Sequence, residues 1–196
     1  MDFSNWKWLN ESNIDIKDGS VTIDAPAETD WFVNPLPTDG KMSPPVANAP
    51  FFYTEVEGDF VFEAKVTPFH ESVYDACALM VIENDRLWAK AAFEKTDFGT
   101  KAAVCVVTDG VSDDCNGADI DADQVRLRLL RKGNVFSVLY SKDGRNYRMV
   151  RLFTLNVPSR VKVGLEAQSP AGKGGKRLFE EISLEARSVK DPRAGE

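Results

Sequence analysis

An all-β sandwich of two antiparallel sheets is the fold class this sequence predicts, and three observations predict it. Apolar residues recur at every second position in run after run, turn-forming dipeptides separate the runs, and no stretch carries an amphipathic helix of three turns. Two sheets that bury each other's apolar faces account for all three.

In chain order, Phe60, Phe62, Ala64 and Val66 alternate with Val61, Glu63 and Lys65. Leu87, Ala89, Ala91 and Phe93 form the core series of a second run, with Trp88, Lys90, Ala92 and Glu94 on its other face. Val125, Leu127 and Leu129 alternate with Arg126, Arg128 and Leu130. Phe136, Val138 and Tyr140 follow, and Val161, Val163, Leu165 and Ala167 alternate with charged or small residues. "RKGN" at 131–134 is a hairpin connection, as is "SKDGRN" at 141–146, whose Asp-Gly pair tolerates positive φ. About ten to twelve such runs make one domain over residues 1–188. Residues 34–50, with five prolines, and the acidic, turn-rich 108–124 read as irregular segments. Residues 189–196 read as a flexible C-terminal tail.

Composition narrows the function. A formal net charge of −7, from 24 basic and 31 acidic residues, argues against a broad nucleic-acid footprint. No run of apolar residues is long enough for a membrane helix, and no basic segment leads into an apolar one near Met1. Cys77, Cys105 and Cys115 are an odd set without a CxxC spacing, and the first two lie in apolar runs as buried free thiols. A reducing cytoplasm is the expected setting.

Strand parity then isolates one face. If Leu87 to Phe93 point into the core at every second residue, Trp88, Lys90 and Glu94 point away from it. The same parity puts Arg126 and Arg128 on an outer face. An aromatic plate with cations and a carboxylate suits a polar ligand, a sugar above all. Cross-strand ion pairs on a solvated sheet, or packing beneath a loop, account for the same residues.

A set of ordered segments carries a resemblance: "TDWF" at 29–32, "VEGDFVFEAKV" at 56–66, "YDACALMV" at 74–81, "LWAKAAFE" at 87–94, "VVTDGVSD" at 106–113, "YSKDGRNYRMVR" at 140–151 and "VKVGLEAQSP" at 161–170. Together they resemble the DUF1349 family, which includes fungal proteins described as regulators of enolase. The resemblance implies a concanavalin A-like jelly-roll of the lectin/glucanase class, with one concave sheet where relatives of the broader fold bind or cleave glycans. Positions that recur in the family fall here on Trp31, Asp59, Trp88, Lys90, Glu94, Ser112, Asp113, Asp143, Gly144, Arg151 and Gly164. Two departures stand out: the hairpin aromatic is Tyr147, and a "SDW" becomes Ser112-Asp113-Asp114.

A retaining glycosidase needs two carboxylates roughly 5 Å apart. Glucanases of the broad fold carry them as "ExDxxE", whereas "ENDRLW" keeps Glu83 and Asp85 but has Trp88 in third place. Glu94 has no partner in its own strand, though Asp113 is a spatial candidate. Asp119, Asp121 and Asp123 open like a calcium loop, but Gln124 and Leu130 stand where an EF-hand needs Gly and Glu. His70 is the only histidine, which leaves a histidine-rich zinc site impossible. "SPAGKGGKRLF" at 169–179 reads as a loop closing one end of the sandwich, with Lys173, Lys176 and Arg177 as anionic contacts.

The expectation is a non-catalytic module that binds a carbohydrate, sugar phosphate or similar polar ligand on the concave sheet, without metal or cofactor. Its candidate ligand residues are Trp31, Trp88, Lys90, Glu94, Asp113, Arg126, Arg128 and Arg151. A protein-interaction domain regulating carbohydrate metabolism is the first alternative, and a glycoside hydrolase-like enzyme using Glu94 the second.

Overall fold

The computed structural model describes residues 1–37 and 39–196; Thr38, inside the proline-rich segment 34–50, lies outside the described residues. Strands are numbered in chain order. The first sheet runs, in spatial order, β1 (Lys7–Leu9), β6 (Phe51–Glu57), β15 (Arg160–Gln168), β8 (Ala76–Asn84), β9 (Leu87–Lys95), β10 (Lys101–Asp109) and β11 (Val111–Asp119). The second runs β14 (Arg148–Thr154), β13 (Val135–Ser141), β12 (Val125–Lys132), β7 (Phe60–Thr67), β16 (Gly175–Glu185), β3 (Ser20–Ala25) and β2 (Ile14–Lys17). A ribbon of β4 (Trp31–Phe32) and β5 (Val46–Ala47) stands apart. The pairings within both sheets are antiparallel. This is the two-sheet sandwich that the alternation predicts.

The alternating residues meet between the sheets. Phe60, Phe62, Ala64 and Val66 of β7 pack with Ala89, Ala91 and Phe93 of β9, Leu127 and Leu129 of β12, and Phe136 of β13. At one end of this core Trp6 and Trp8 lie against Phe52, with ring centroids 5.2 and 4.8 Å away. Burying each large aromatic is worth roughly 3–5 kcal/mol by truncation, so this layer dominates stability.

Three segments depart from the sequence reading, each for a physical reason. Residues 111–119, expected to be irregular, form strand β11. It is the sheet's edge, so charges on it cost little and blunt edge-to-edge pairing. The "SPAGKGGKRLF" segment is a short turn followed directly by β16, and Arg177 is buried rather than offered to an anion. Arg177 pairs with Asp75 at 2.8 Å and donates to the carbonyls of Gln168 and Pro68. Residues 189–196 fold back: Val189 packs with Val61, Leu130 and Leu139, and the Gly195 carbonyl accepts from Arg128.

Gly164 on β15 is required by close approach. A Cβ there would lie 2.2 Å from the Phe52 carbonyl oxygen and 2.6 Å from Tyr53 Cα. Gly144 is required by its φ of 73° in the β13–β14 turn, where Asp143 caps the amides of Arg145 and Asn146.

Candidate functional site

The outer face of the first sheet is covered in part by its own chain. Trp31, Phe32, Ala47 and Ala49 pack onto it and seal a second apolar cluster in which Trp31, Phe51 and Tyr53 lie against Ala76, Ala78, Met80, Trp88, Ala92 and Val104. Trp88 has no exposed surface, and Trp31 meets it edge to face at 6.4 Å. Trp31 Nε1 donates to the Ala49 carbonyl, and Trp88 Nε1 to that of Asp85. Neither indole is available to stack on a ligand, which corrects the expectation for both. Parity placed Trp88 on the outer face correctly, but the covering segment buries it there.

Polar anchors hold this segment down. Lys90 is 2 % exposed, and its Nζ donates to Asp30 Oδ1 at 3.0 Å, the Trp31 carbonyl at 2.9 Å and Gln168 Oε1 at 2.6 Å. An ammonium has three donors, so Lys90 is fully committed. Burial works to lower its pKa, yet the carboxylates of Asp30, Glu166 and Glu94 more than offset that and raise it. Val33 and Ser112 exchange further bonds, with Ser112 Oγ also meeting Thr108 Oγ1 at 2.8 Å. Arg86 binds the Ser43 carbonyl.

Beside these anchors a cavity of about 200 Å³ is lined by Asp30, Phe32, Tyr74, Lys90, Glu94, Val106, Asp114 and Gln168. Gln168 is its hub. Its Nε2 donates to the Tyr74 carbonyl at 2.9 Å and to Glu94 Oε2 at 3.3 Å, while Oε1 receives Lys90. Tyr74 adopts a left-handed φ of 67°, pinned by its own amide donating to the Lys95 carbonyl. Burial pushes the Glu94 carboxyl up to about 8, against the pull of Lys90, and raises that of Asp114. Glu166, two residues before Gln168 on the same face, is wholly buried, and neither of its carboxyl oxygens has a hydrogen-bond partner among the described residues. Its pKa too is pushed up to about 8, by burial.

Of the expected ligand residues, the structure gathers only Lys90 and Glu94 at this cavity. Arg126 and Arg128 lie on β12 of the other sheet, so they face away from it. There Arg126 pairs with Glu181; Arg128 pairs with Glu63 at 2.6 Å and stacks 3.6 Å from the Tyr147 ring centroid. Arg151 of β14 grips Asp113 of β11 through both nitrogens and staples the sheets at one edge. Asp113 therefore points toward the second sheet, and its neighbour Asp114 enters the cavity.

The hydrolytic alternative meets a geometric difficulty. Across β10, Glu94 pairs with Ala102 and Asp114 with Val106. An offset of four residues along the strands, roughly 13 Å, and two strand spacings, roughly 10 Å, put the two backbones roughly 16 Å apart, against a carboxylate spacing of roughly 5 Å in retaining glycosidases. Glu83 and Asp85 sit at the β8–β9 hairpin instead. His70 is also off the site; it packs edge to face on Phe93, and burial lowers its pKa to about 4. Among the described residues, no group of three or more His, Cys, Asp and Glu side chains is arranged to hold a metal ion. Among the described residues, no helix is long and apolar enough to cross a membrane.

Comparison with known proteins bears on the fold and the family. The family described as "Protein of unknown function (DUF1349)" matches residues 8–187. "Regulation of enolase protein 1" of Saccharomyces cerevisiae is 28 % identical over 187 residues, covering 94 % of this chain and 91 % of that protein. The crystal structure of a functionally unknown Saccharomyces cerevisiae protein superposes with a TM-score of 0.86 at 27 % identity, covering 96 % of this chain and all of the other. The GH43 BlXynB protein from Bacillus licheniformis aligns with a TM-score of 0.73 at 10 % identity over 93 % of this chain and 37 % of its own, a likeness of fold alone.

Proposed function

The chain belongs to the DUF1349 family, and from that premise we propose that it is a non-catalytic module binding one small polyhydroxylated ligand, a carbohydrate unit, in the cavity on the outer face of the first sheet. The observation that carries this reading is the Lys90–Gln168–Glu94 cluster, whose side chains are locked to one another from the two strands that flank β8. Such pre-organisation is what a binding site needs. The cavity, about 200 Å³, is smaller than the roughly 300–1,000 Å³ of drug-sized sites, which suits a single ring. Phe32 and Tyr74 supply apolar faces for it. The likeness of fold to a GH43 protein is in keeping with a glycan-related role. Three unpaired cysteines support a cytoplasmic setting.

A second reading rests on one observation, the name borne by the yeast relative: a regulatory domain that docks a protein of carbohydrate metabolism. A screen of monosaccharides and short glycans by calorimetry separates the two. The binding module predicts saturable binding that Glu94→Gln and Tyr74→Ala weaken by tenfold or more (about 1.4 kcal/mol). Silence across the screen, with the variants indistinguishable from the parent, would sink it in favour of protein docking.

A further inference from the structure

We propose that the ligand of this cavity carries a protonated amine beside its hydroxyls, as an amino sugar does, and that phosphorylated sugars are excluded. This rests on the binding role proposed above and follows from a census of donors and acceptors in the lining.

The cationic and amide donors are spent. Lys90 directs its three N–H groups to Asp30, Trp31 and Gln168. Gln168 spends its amide on Tyr74 and Glu94. An incoming phosphate would therefore find one cation already neutralised and no unspent N–H from Lys90 or Gln168. Acceptors, in contrast, are in surplus. Glu94 is 7 % exposed, lines the cavity, and has only one oxygen engaged among the described residues. Asp114 forms no ion pair among the described residues, and Asp30 meets Lys90 and its neighbouring amide through Oδ1 alone. Three carboxyl groups thus face one committed lysine. Phe32 and Tyr74 complete the lining, and aromatic faces attract a cation as well as a sugar ring.

An ammonium offers three donors and one positive charge, which is what this lining lacks. Hydrogen bonds between charged groups are roughly twice as strong as neutral ones, which gives an amine the advantage over a hydroxyl in the same place. The Glu94 carboxyl is surrounded by Lys90, Asp114, Asp30 and Glu166, and with its pKa near 8 it holds its proton at neutral pH. When an ammonium settles beside it, that proton leaves for solvent and the carboxylate pairs with the ligand. Binding then releases protons.

The test is calorimetric titration at pH 6.5 with glucosamine, glucose, glucose 6-phosphate and ethanolamine, in two buffers of different ionisation enthalpy. The expected result is glucosamine binding about tenfold tighter than glucose, proton release, and no binding of the phosphate. Asp114→Asn and Glu94→Gln abolish the preference for glucosamine, lowering its affinity by about tenfold more than that of glucose. Both variants are isosteric, and a melting curve checks their fold. Equal binding of glucose and glucosamine, or tighter binding of the phosphate, overturns the inference while the carbohydrate role stands. Binding of ethanolamine and glucosamine alike, without glucose, keeps the amine and removes the carbohydrate role. No binding by any probe overturns both.

Discussion

Lys90 and Gln168 sit on strands separated by β8, and their side chains meet above it at 2.6 Å. In register between Gln168 and Glu94 is Ala76, small enough for the three polar chains to converge over it. The same lysine ties down the segment that packs on the sheet, through Asp30 and the Trp31 carbonyl. One buried cation therefore joins the scaffold of the site to its cover.

Lys90→Ala leaves Asp30 and Gln168 without their partner inside the protein. Removing one member of a buried ion pair costs roughly 3–5 kcal/mol. A fall of that size is expected in urea unfolding, so lost binding in this variant reports structure before ligand contact. A loss below about 1 kcal/mol, the range of surface ion pairs, would contradict the buried pairing.

Trp88→Ala empties the centre of the outer-face cluster. The expected cost is about 3–5 kcal/mol, with the near-ultraviolet signal of Trp31 lost as its edge-to-face partner goes. Were Trp88 a ligand plate in solvent, the midpoint of unfolding would hardly move.

Two of the raised carboxyls, Glu94 and Glu166, set a pH dependence. Glu94 and Glu166 ionise near 4.5 when unfolded but only at about 8 when folded. Between those values the unfolded chain binds fewer protons at these two groups, so their contribution to stability is greatest below about 4.5, declines as pH rises to about 8, and levels off above. Glu166→Gln removes its share: the melting temperature rises at pH 8.5, by roughly 2–4 °C per kcal/mol recovered, and changes little at pH 4.5. Parallel curves for parent and variant would count against a buried, unpartnered Glu166.

Gly164→Ala drives a methyl into the backbone of β6 at Phe52. Overpacking of this kind costs about 1–3 kcal/mol, measurable as a lower urea midpoint with an unchanged slope. Wild-type stability in that variant would mean that β6 and β15 are not held this close.

Much of the fold was legible because strand parity is a local property. Leu87, Ala89, Ala91 and Phe93 face the core, while Trp88, Lys90 and Glu94 face outward, as alternation requires. What parity cannot say is which sheet a strand joins, and so Arg126 and Arg128 were grouped with a face they do not share. Nor does it say what lies over a face: the segment that covers Trp88 is proline-rich and carries no periodic pattern. Asp113 and Asp114 differ by one residue and hence by one side of the sheet. Glu166 and Gln168 were visible in the series that alternates with Leu165 and Ala167, but isolated polar residues there read like any solvated strand. Their burial comes from tertiary packing.

The most direct test of the central claim is the position of the ligand, read from backbone amide shifts as the labelled protein is titrated with glucosamine. The account predicts saturable shifts gathered at Asp30, Phe32, Tyr74, Glu94, Asp114 and Gln168, with Arg126 and Arg128 on the opposite sheet unmoved. Shifts centred on Arg126 and Arg128, or none at saturating ligand, would contradict it.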